Sequence, residues 1–209
     1  MLSQGRMKRI NGWLLPVLIA VSLLAALWAS GCSSDDDEST AISPEQIRAA
    51  VNGFDGANIS SLDLGAIVPA CASAIPVLEE LLAQGDRAAR WAALVALAAV
   101  GRQCNKADAV LPHLKDALND PDDISMRVTA AELVTSFGDK AGIPVLIDAV
   151  DSDVRNLRPA EPPTSVCNQA ITVLGHYTGQ EHTREAEWQA WWDANQDSLE
   201  WDPDNERFS

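Results

Sequence analysis

Ala74-Ile75-Pro76-Val77-Leu78, Val110-Leu111-Pro112-His113-Leu114 and Gly142-Ile143-Pro144-Val145-Leu146 are three versions of one short pattern. Each opens a largely apolar stretch that closes on an apolar residue and a glycine: Val100-Gly101, Phe137-Gly138 and Leu174-Gly175. The glycines recur at an interval of 37 residues, twice, and the Pro-to-Gly distances are 25, 26 and 31. The extra residues of the third unit fall in Asn156-Leu157-Arg158-Pro159-Ala160-Glu161-Pro162-Pro163, an inserted loop. Self-similarity at such a period marks a repeat architecture, in which no unit buries its apolar face alone.

Counting back from each glycine gives the face. One before are Val100, Phe137 and Leu174; four before are Leu97, Val134 and Ile171; eight before are Ala93, Ala130 and Cys167. Steps of three and four with apolar or small residues describe one buried helical stripe. Each unit therefore reads as a helix pair, helix A beginning near the proline and helix B ending before the glycine. The turn between them carries Asp: Gly85-Asp86, Asp120-Pro121-Asp122-Asp123 and Asp151-Ser152-Asp153.

This pattern resembles the HEAT repeat in its short bacterial form, over about residues 74–177, with units at 74–101, 109–138 and 141–175. The resemblance rests on Pro76, Pro112 and Pro144 in helix A, on the turn Asp, and on Arg90 and Arg127 in helix B. It implies a structural Asp–Arg ladder between neighbouring repeats; Thr164 stands in the Arg place of the third unit, so the ladder is expected to stop there. The fold expected is all-α: a short α-solenoid of about three hairpins. HEAT-like arrays also occur in bilin lyases and a di-iron hydroxylase, but the repeated His-Glu pairs of the latter are absent here. The repeat is scaffold and does not by itself name a function.

Outward from the repeats, residues 43–73 read as helices that lead into the array. Ser43 can cap, Pro44 suits a first helical position, and Gln46 completes a capping box, so the spacing predicts a helix over 44–52. A second short helix is expected at about 61–70. Residues 178–209 form the other end. Trp188, Trp191 and Trp192 lie at i, i+3 and i+4, one face of a helix. This looks like the Thr-Gly…Trp-x-x-Trp-Trp ending that follows many bacterial HEAT arrays, and implies a Trp-rich capping helix. An aromatic ledge for a sugar or peptide is the alternative use of the same face.

The first 31 residues read as an address. Arg6, Lys8 and Arg9 precede a 17-residue uncharged run, Trp13 to Ala29, which ends in Ala29-Ser30-Gly31-Cys32. A basic segment, an apolar segment and small residues before a cut site describe a secretory signal. With Cys directly after them, it resembles the bacterial lipoprotein signal, which implies that Cys32 is lipidated (diacylglycerol, then an amide-linked fatty acid such as palmitate) and becomes the new N-terminus. That family usually has Leu three positions before the Cys; here Ala29 stands there, with Leu27 further back. As an uncleaved span the run would cover only ~26 Å of a ~30 Å hydrocarbon core. Ser33, rather than Asp, follows the Cys, which by the same resemblance favours the outer membrane of a Gram-negative envelope. Residues 32–42 are then a lipidated Cys and an acidic tether of at most ~35 Å.

Charge and composition narrow the partners. The chain has 209 residues, 15 Lys+Arg, 30 Asp+Glu and a net charge of −15. Residues 1–31 hold three of the bases and no acid, so the remainder carries 12 bases against 30 acids, net −18. Nucleic acid is not an expected partner, because phosphate contacts require basic groups. The membrane partner is expected through the lipid alone, not through a basic patch.

Little in the sequence points to chemistry. No P-loop, dinucleotide fingerprint or G-x-S-x-G is present. His176 and His182, with Glu181 and Glu185, lack the spacing of a metal site, and Asp35-Asp36-Asp37 lack the spaced ligands of a calcium loop. No cofactor, metal or catalytic residue is expected. Antiparallel helices bring Cys71, before helix A of the first unit, near Cys104, after its helix B, so a disulfide worth ~3 kcal/mol is expected there. Cys167, at a small-residue core position, is expected to be buried and inert. The most polar row of the B helices lies six before each glycine, at Val95, Glu132 and Gln169, flanked by Trp91, Thr135 and Thr172. That row is expected to face out of the stack and bind a peptide or protein. The functional expectation is a non-catalytic binding or scaffolding lipoprotein of the cell envelope; the alternatives are an assembly factor without a groove ligand and, less favoured, an enzyme or metal protein.

Overall fold

The computed structural model describes residues 42–56, 58–152 and 164–209. The signal segment, Cys32 and the acidic tether up to residue 41, and the inserted loop of the third unit with Asp153, lie outside the described residues. The chain divides into two units, Met1–Ser39 and Thr40–Ser209, and the fold below is that of the second.

The protein is all-α in its main architecture. Its helices are α1 (Pro44–Asn52), α2 (Leu64–Ile67), α3 (Ile75–Gln84), α4 (Arg87–Gln103), α5 (Ala107–Ala117), α6 (Ile124–Ser136), α7 (Gly142–Val150), α8 (Thr164–Thr178) and α9 (Glu185–Asn195). Successive helices from α3 to α8 pack on one another, α4 also meets α6, α6 also meets α8, and α9 lies on α7. One continuous apolar core runs from Ile47 to Phe208.

Local chemistry accounts for the helix starts. Ser43 Oγ accepts from the Gln46 N–H at 3.3 Å, and the Ser43 N–H donates to Gln46 Oε1 at 2.8 Å, a reciprocal capping box. Asp86 caps α4 through the Ala89 N–H, and Asp123 caps α6 through the Met126 N–H. Such caps contribute about 1 kcal/mol each.

Helix ends depart from the sequence pattern. Gly101 and Gly175 lie inside α4 and α8, not beyond them. A Cβ at Gly101 would stand 2.4 Å from Val110 Cγ2 and 3.0 Å from the Phe137 ring, so that glycine serves a close helix approach rather than a stop. Only Gly138 of the three follows a helix end, at φ +79°, the left-handed region that favours glycine. Pro112 sits in the middle of α5, whereas Pro76 and Pro144 are in the first turns of α3 and α7. The second lead-in helix is broken into a 3₁₀ turn (Ile59–Ser61), the short α2 and a second 3₁₀ segment (Val68–Ser73), interrupted at Cys71 with φ +45°.

That interruption places Cys71 against the end of α4. Cys71 and Cys104 form a disulfide with Cα atoms 5.6 Å apart, closing a separation of 33 residues. Cross-linking a loop of this length contributes about 3 kcal/mol. Cys167 is free and half-buried rather than fully buried, its Sγ 3.7 Å from Ser152 Oγ.

The C-terminus adds an element that the helical periodicity did not announce. β1 (Trp201–Asp202) and β2 (Arg207–Phe208) form an antiparallel hairpin, Trp201 opposite Phe208. Its turn is held by Asp202 Oδ1, which accepts from the N–H groups of Asp204 and Asn205. Phe208 is buried, and Trp201 packs edge-on to it at 5.0 Å. Lys140 Nζ donates to the carbonyls of Gln196 and Leu199, tying this end to the α6–α7 turn.

Candidate functional site

A cleft of about 310 Å³ opens where the turn after α1 meets the first turns of α4 and α6. Phe54, Gly56, Arg87, Ala88, Trp91, Asp123, Ser125 and Met126 line it. Phe54 and Trp91 form its aromatic wall: their rings stack with centroids 5.0 Å apart and planes 15° from parallel. The Trp91 Nε1–H donates to Thr129 Oγ1 at 3.3 Å, which fixes the indole while leaving the residue half-buried. Sulfur and ring faces are polarisable and accept varied apolar shapes.

The polar side of the cleft is an ion pair. The Arg87 guanidinium donates through Nε and Nη2 to the two carboxylate oxygens of Asp123. The Arg87 side chain is 40% exposed and that of Asp123 only 11%. Burial works to raise the Asp123 carboxyl, but Arg87 and the α6 N–H groups outweigh it and hold it below the usual carboxylate range. One layer behind, Arg90 pairs with the buried Asp120, whose Oδ1 also accepts from the N–H groups of Asp122 and Asp123 at 3.0 and 2.9 Å. Burial of Asp120 is likewise outweighed by Arg90 and these N–H groups, which keep it ionised. Arg90 thus links α4 to the turn before α6. Arg127 instead donates to the backbone carbonyl of Asp120 at 2.8 Å. Of the third turn's Asp151 and Asp153, the second lies outside the described residues, as does the side chain of Thr164.

The polar B-helix row is distributed unlike its sequence-based expectation. Trp91 and Val95 are half-buried and Thr172 is exposed, but Glu132 is buried at 9% exposure and Thr135 at 0%. Glu132 and Thr135 therefore do not face solvent. The reason is local pairing and covering: Gln169 Nε2 donates to Glu132 Oε2 at 2.9 Å, and the backbone of Gly142 lies against Thr135 Oγ1. Burial pushes the Glu132 carboxyl up, against the opposing pull of the Gln169 hydrogen bond and the Arg102 charge. Burial, and next the Glu132 charge, push the Tyr177 hydroxyl up to about 12.

The sign of that Glu132 shift carries a prediction. An acid that holds its proton more tightly when folded stabilises the fold at low pH and loses that contribution as pH rises through its folded value. At neutral pH Glu132→Gln removes a buried charge yet keeps an acceptor for Gln169. Denaturant unfolding should show the variant more stable by on the order of 1 kcal/mol at neutral pH, with a flatter dependence on pH above the ordinary carboxylate range. An unchanged slope would mean that Glu132 is not the group titrating.

At the far end, Trp188 is fully buried while Trp191 and Trp192 are partly covered. Trp188 meets His182 and Trp191 edge-to-face at 4.9 and 5.9 Å. A fully covered ring cannot serve as a ledge, so Trp188 belongs to the core. Of the cleft lining only Trp91 is among the expected site residues; Phe54, Arg87 and Met126 are not, and for Phe54 the available signal is an aromatic amid the turn residues Gly53, Asp55 and Gly56. Among the described residues, no group of three or more His, Cys, Asp or Glu is arranged to hold a metal ion, and no single helix is long and apolar enough to cross a membrane. His113 pairs with Glu79 at 2.8 Å across α5 and α3.

Comparison with protein-family models, with curated proteins and with solved structures finds no match. The class defined by the structure is therefore an all-α protein with a small aromatic cleft at the N-terminal ends of two neighbouring helices.

Proposed function

We propose that this chain is a lipid-anchored, non-catalytic binding module of the bacterial cell envelope, built as a short stack of HEAT-like hairpins. The carrying observation is the cleft at Trp91 and Phe54, a half-buried indole stacked on a buried phenyl ring beside a fixed ion pair. Exposed aromatic surface held rigid by hydrogen bonds is what binding hot spots use. The hairpin stack draws on the 37-residue recurrence and on the Arg90–Asp120 link between successive units. The anchor draws on Ala29-Ser30-Gly31-Cys32, and Ser33 favours an outer-membrane destination in a Gram-negative host. The net charge of the described body leaves the acyl chains to hold it at the lipid surface.

The test uses the full chain in its own membrane. A photo-crosslinking residue in place of Ala88 should yield a discrete adduct that Trp91→Ala abolishes. Cys32→Ser should shift the chain from the membrane fraction to the soluble one. An adduct pattern indifferent to Trp91→Ala would remove the cleft from the function.

A further inference from the structure

The cleft also constrains what fills it, an inference that rests on the binding-module reading. The cleft offers about 310 Å³, room for one large side chain. The half-buried Trp91, backed by the buried Phe54 and Met126, selects an apolar or aromatic group for that place.

Charge selects what flanks it. Arg87 at the mouth and Arg90 one layer behind it are each engaged by a carboxylate, Asp123 and Asp120. Asp86 and Asp122 stand exposed beside them, and Asp55 is exposed on the turn that carries Phe54. Asp86 spends one oxygen on the Ala89 N–H, which keeps its charge in place at the rim. Five carboxylates thus face three guanidinia here, counting Arg127, on a chain that is itself strongly acidic. Such a rim raises the local concentration of cations and repels anionic segments. The lysines and arginines of a partner would also find the aromatic faces next to them.

We propose that the cleft is the docking site for a basic peptide segment that inserts one aromatic side chain against Trp91 and Phe54. The basic flanks rest on Asp86 and Asp122 and supply steering, while the inserted ring supplies affinity. Binding is weaker at high salt because the rim carboxylates are solvent-exposed. A partner segment is short, since a single cleft takes a single anchor.

Fluorescence anisotropy on the full chain in detergent micelles tests this with three labelled peptides. The first has one phenylalanine between pairs of lysines, the second replaces that phenylalanine by alanine, and the third replaces the lysines by glutamates. The first should bind at least about tenfold more tightly than either other peptide. Ala88→Arg, at a half-buried first-turn position in the cleft lining, should erase that difference, and circular dichroism should report unchanged helicity. Equal binding of the alanine peptide would reduce the effect to adsorption on an acidic surface and overturn the proposal. Preference for the glutamate peptide, sensitive to Ala88→Arg, would overturn the basic ligand and leave the binding module standing. Absence of any binding sensitive to Ala88→Arg, while the membrane crosslink persists, would overturn the basic aromatic peptide as the ligand and leave the cleft as the binding surface.

Discussion

Gly142→Ala is expected to destabilise the protein by about 3 kcal/mol or more, against the preference of the helix itself. Helix propensity alone favours Ala over Gly by about 1 kcal/mol, so propensity predicts stabilisation. Packing decides otherwise. A Cβ at Gly142 would stand 2.3 Å from the Ala131 carbonyl oxygen, 2.3 Å from Thr135 Oγ1 and 3.1 Å from the Ala131 carbonyl carbon. Two of these three atoms are backbone in the middle of α6, which cannot rotate aside. Relief requires α7 to move away from α6, and that move opens the buried layer of Val134, Ile143 and Leu146. For a chain of this size each 1 kcal/mol shifts the melting temperature by about 2–4 °C, so thermal unfolding followed by circular dichroism should fall by about 6–12 °C. Ala141→Ser, one residue earlier and exposed, should change it little. A Gly142→Ala variant melting with the parent would show that the two helices do not approach this closely.

The same glycine shows where sequence is legible and where it is not. Features written within a few residues are read directly. Ser43-Pro44-Glu45-Gln46 fixes the start of α1, and Asp86 and Asp123 fix the starts of α4 and α6, because a cap and its target are three residues apart. The all-α class follows from the three- and four-residue spacing of the stripe, in which Ala93, Leu97, Val100, Ala130, Val134 and Leu174 are buried while Phe137, Ile171 and Cys167 are half-buried. Features that depend on a distant neighbour are misread. Gly101 looks like a helix stop, yet it is small because Val110 and Phe137 press on it. Glu132 looks like a surface residue because a lone acid in an apolar helix has no visible partner. Its partner Gln169 is 37 residues away, in the same row of the repeat, so the row itself was legible although its direction was not. Trp91 was singled out from that row, but the cleft also needs Phe54, brought in by the turn after α1 through contacts with no sequence spacing to reveal them. The hairpin escaped because two residues per strand are too short to show a period of two.

Trp188→Ala should produce a loss of similar or greater size, about 3–5 kcal/mol, and its pattern separates a sealing role from a binding role. The indole is fully covered, with the His182 and Trp191 rings set edge-on against it, and α9 lies on α7 through this face. Truncation leaves a large cavity in the core beside α9, which lies on α7, and the rest of α9 has exposed residues on its other side. Trp192→Ala, at a partly covered position on the same helix, should cost about 1 kcal/mol. Trp188→Phe sharpens the comparison. The Trp188 Nε1–H is buried without a hydrogen-bond partner among the described residues, so removing it relieves a desolvation cost that offsets part of the lost volume. Denaturant unfolding should therefore rank the variants Trp192→Ala and Trp188→Phe near the parent and Trp188→Ala far below. If Trp188→Ala instead unfolds with Trp192→Ala, α9 is dispensable to the core and its aromatic face is open for another use.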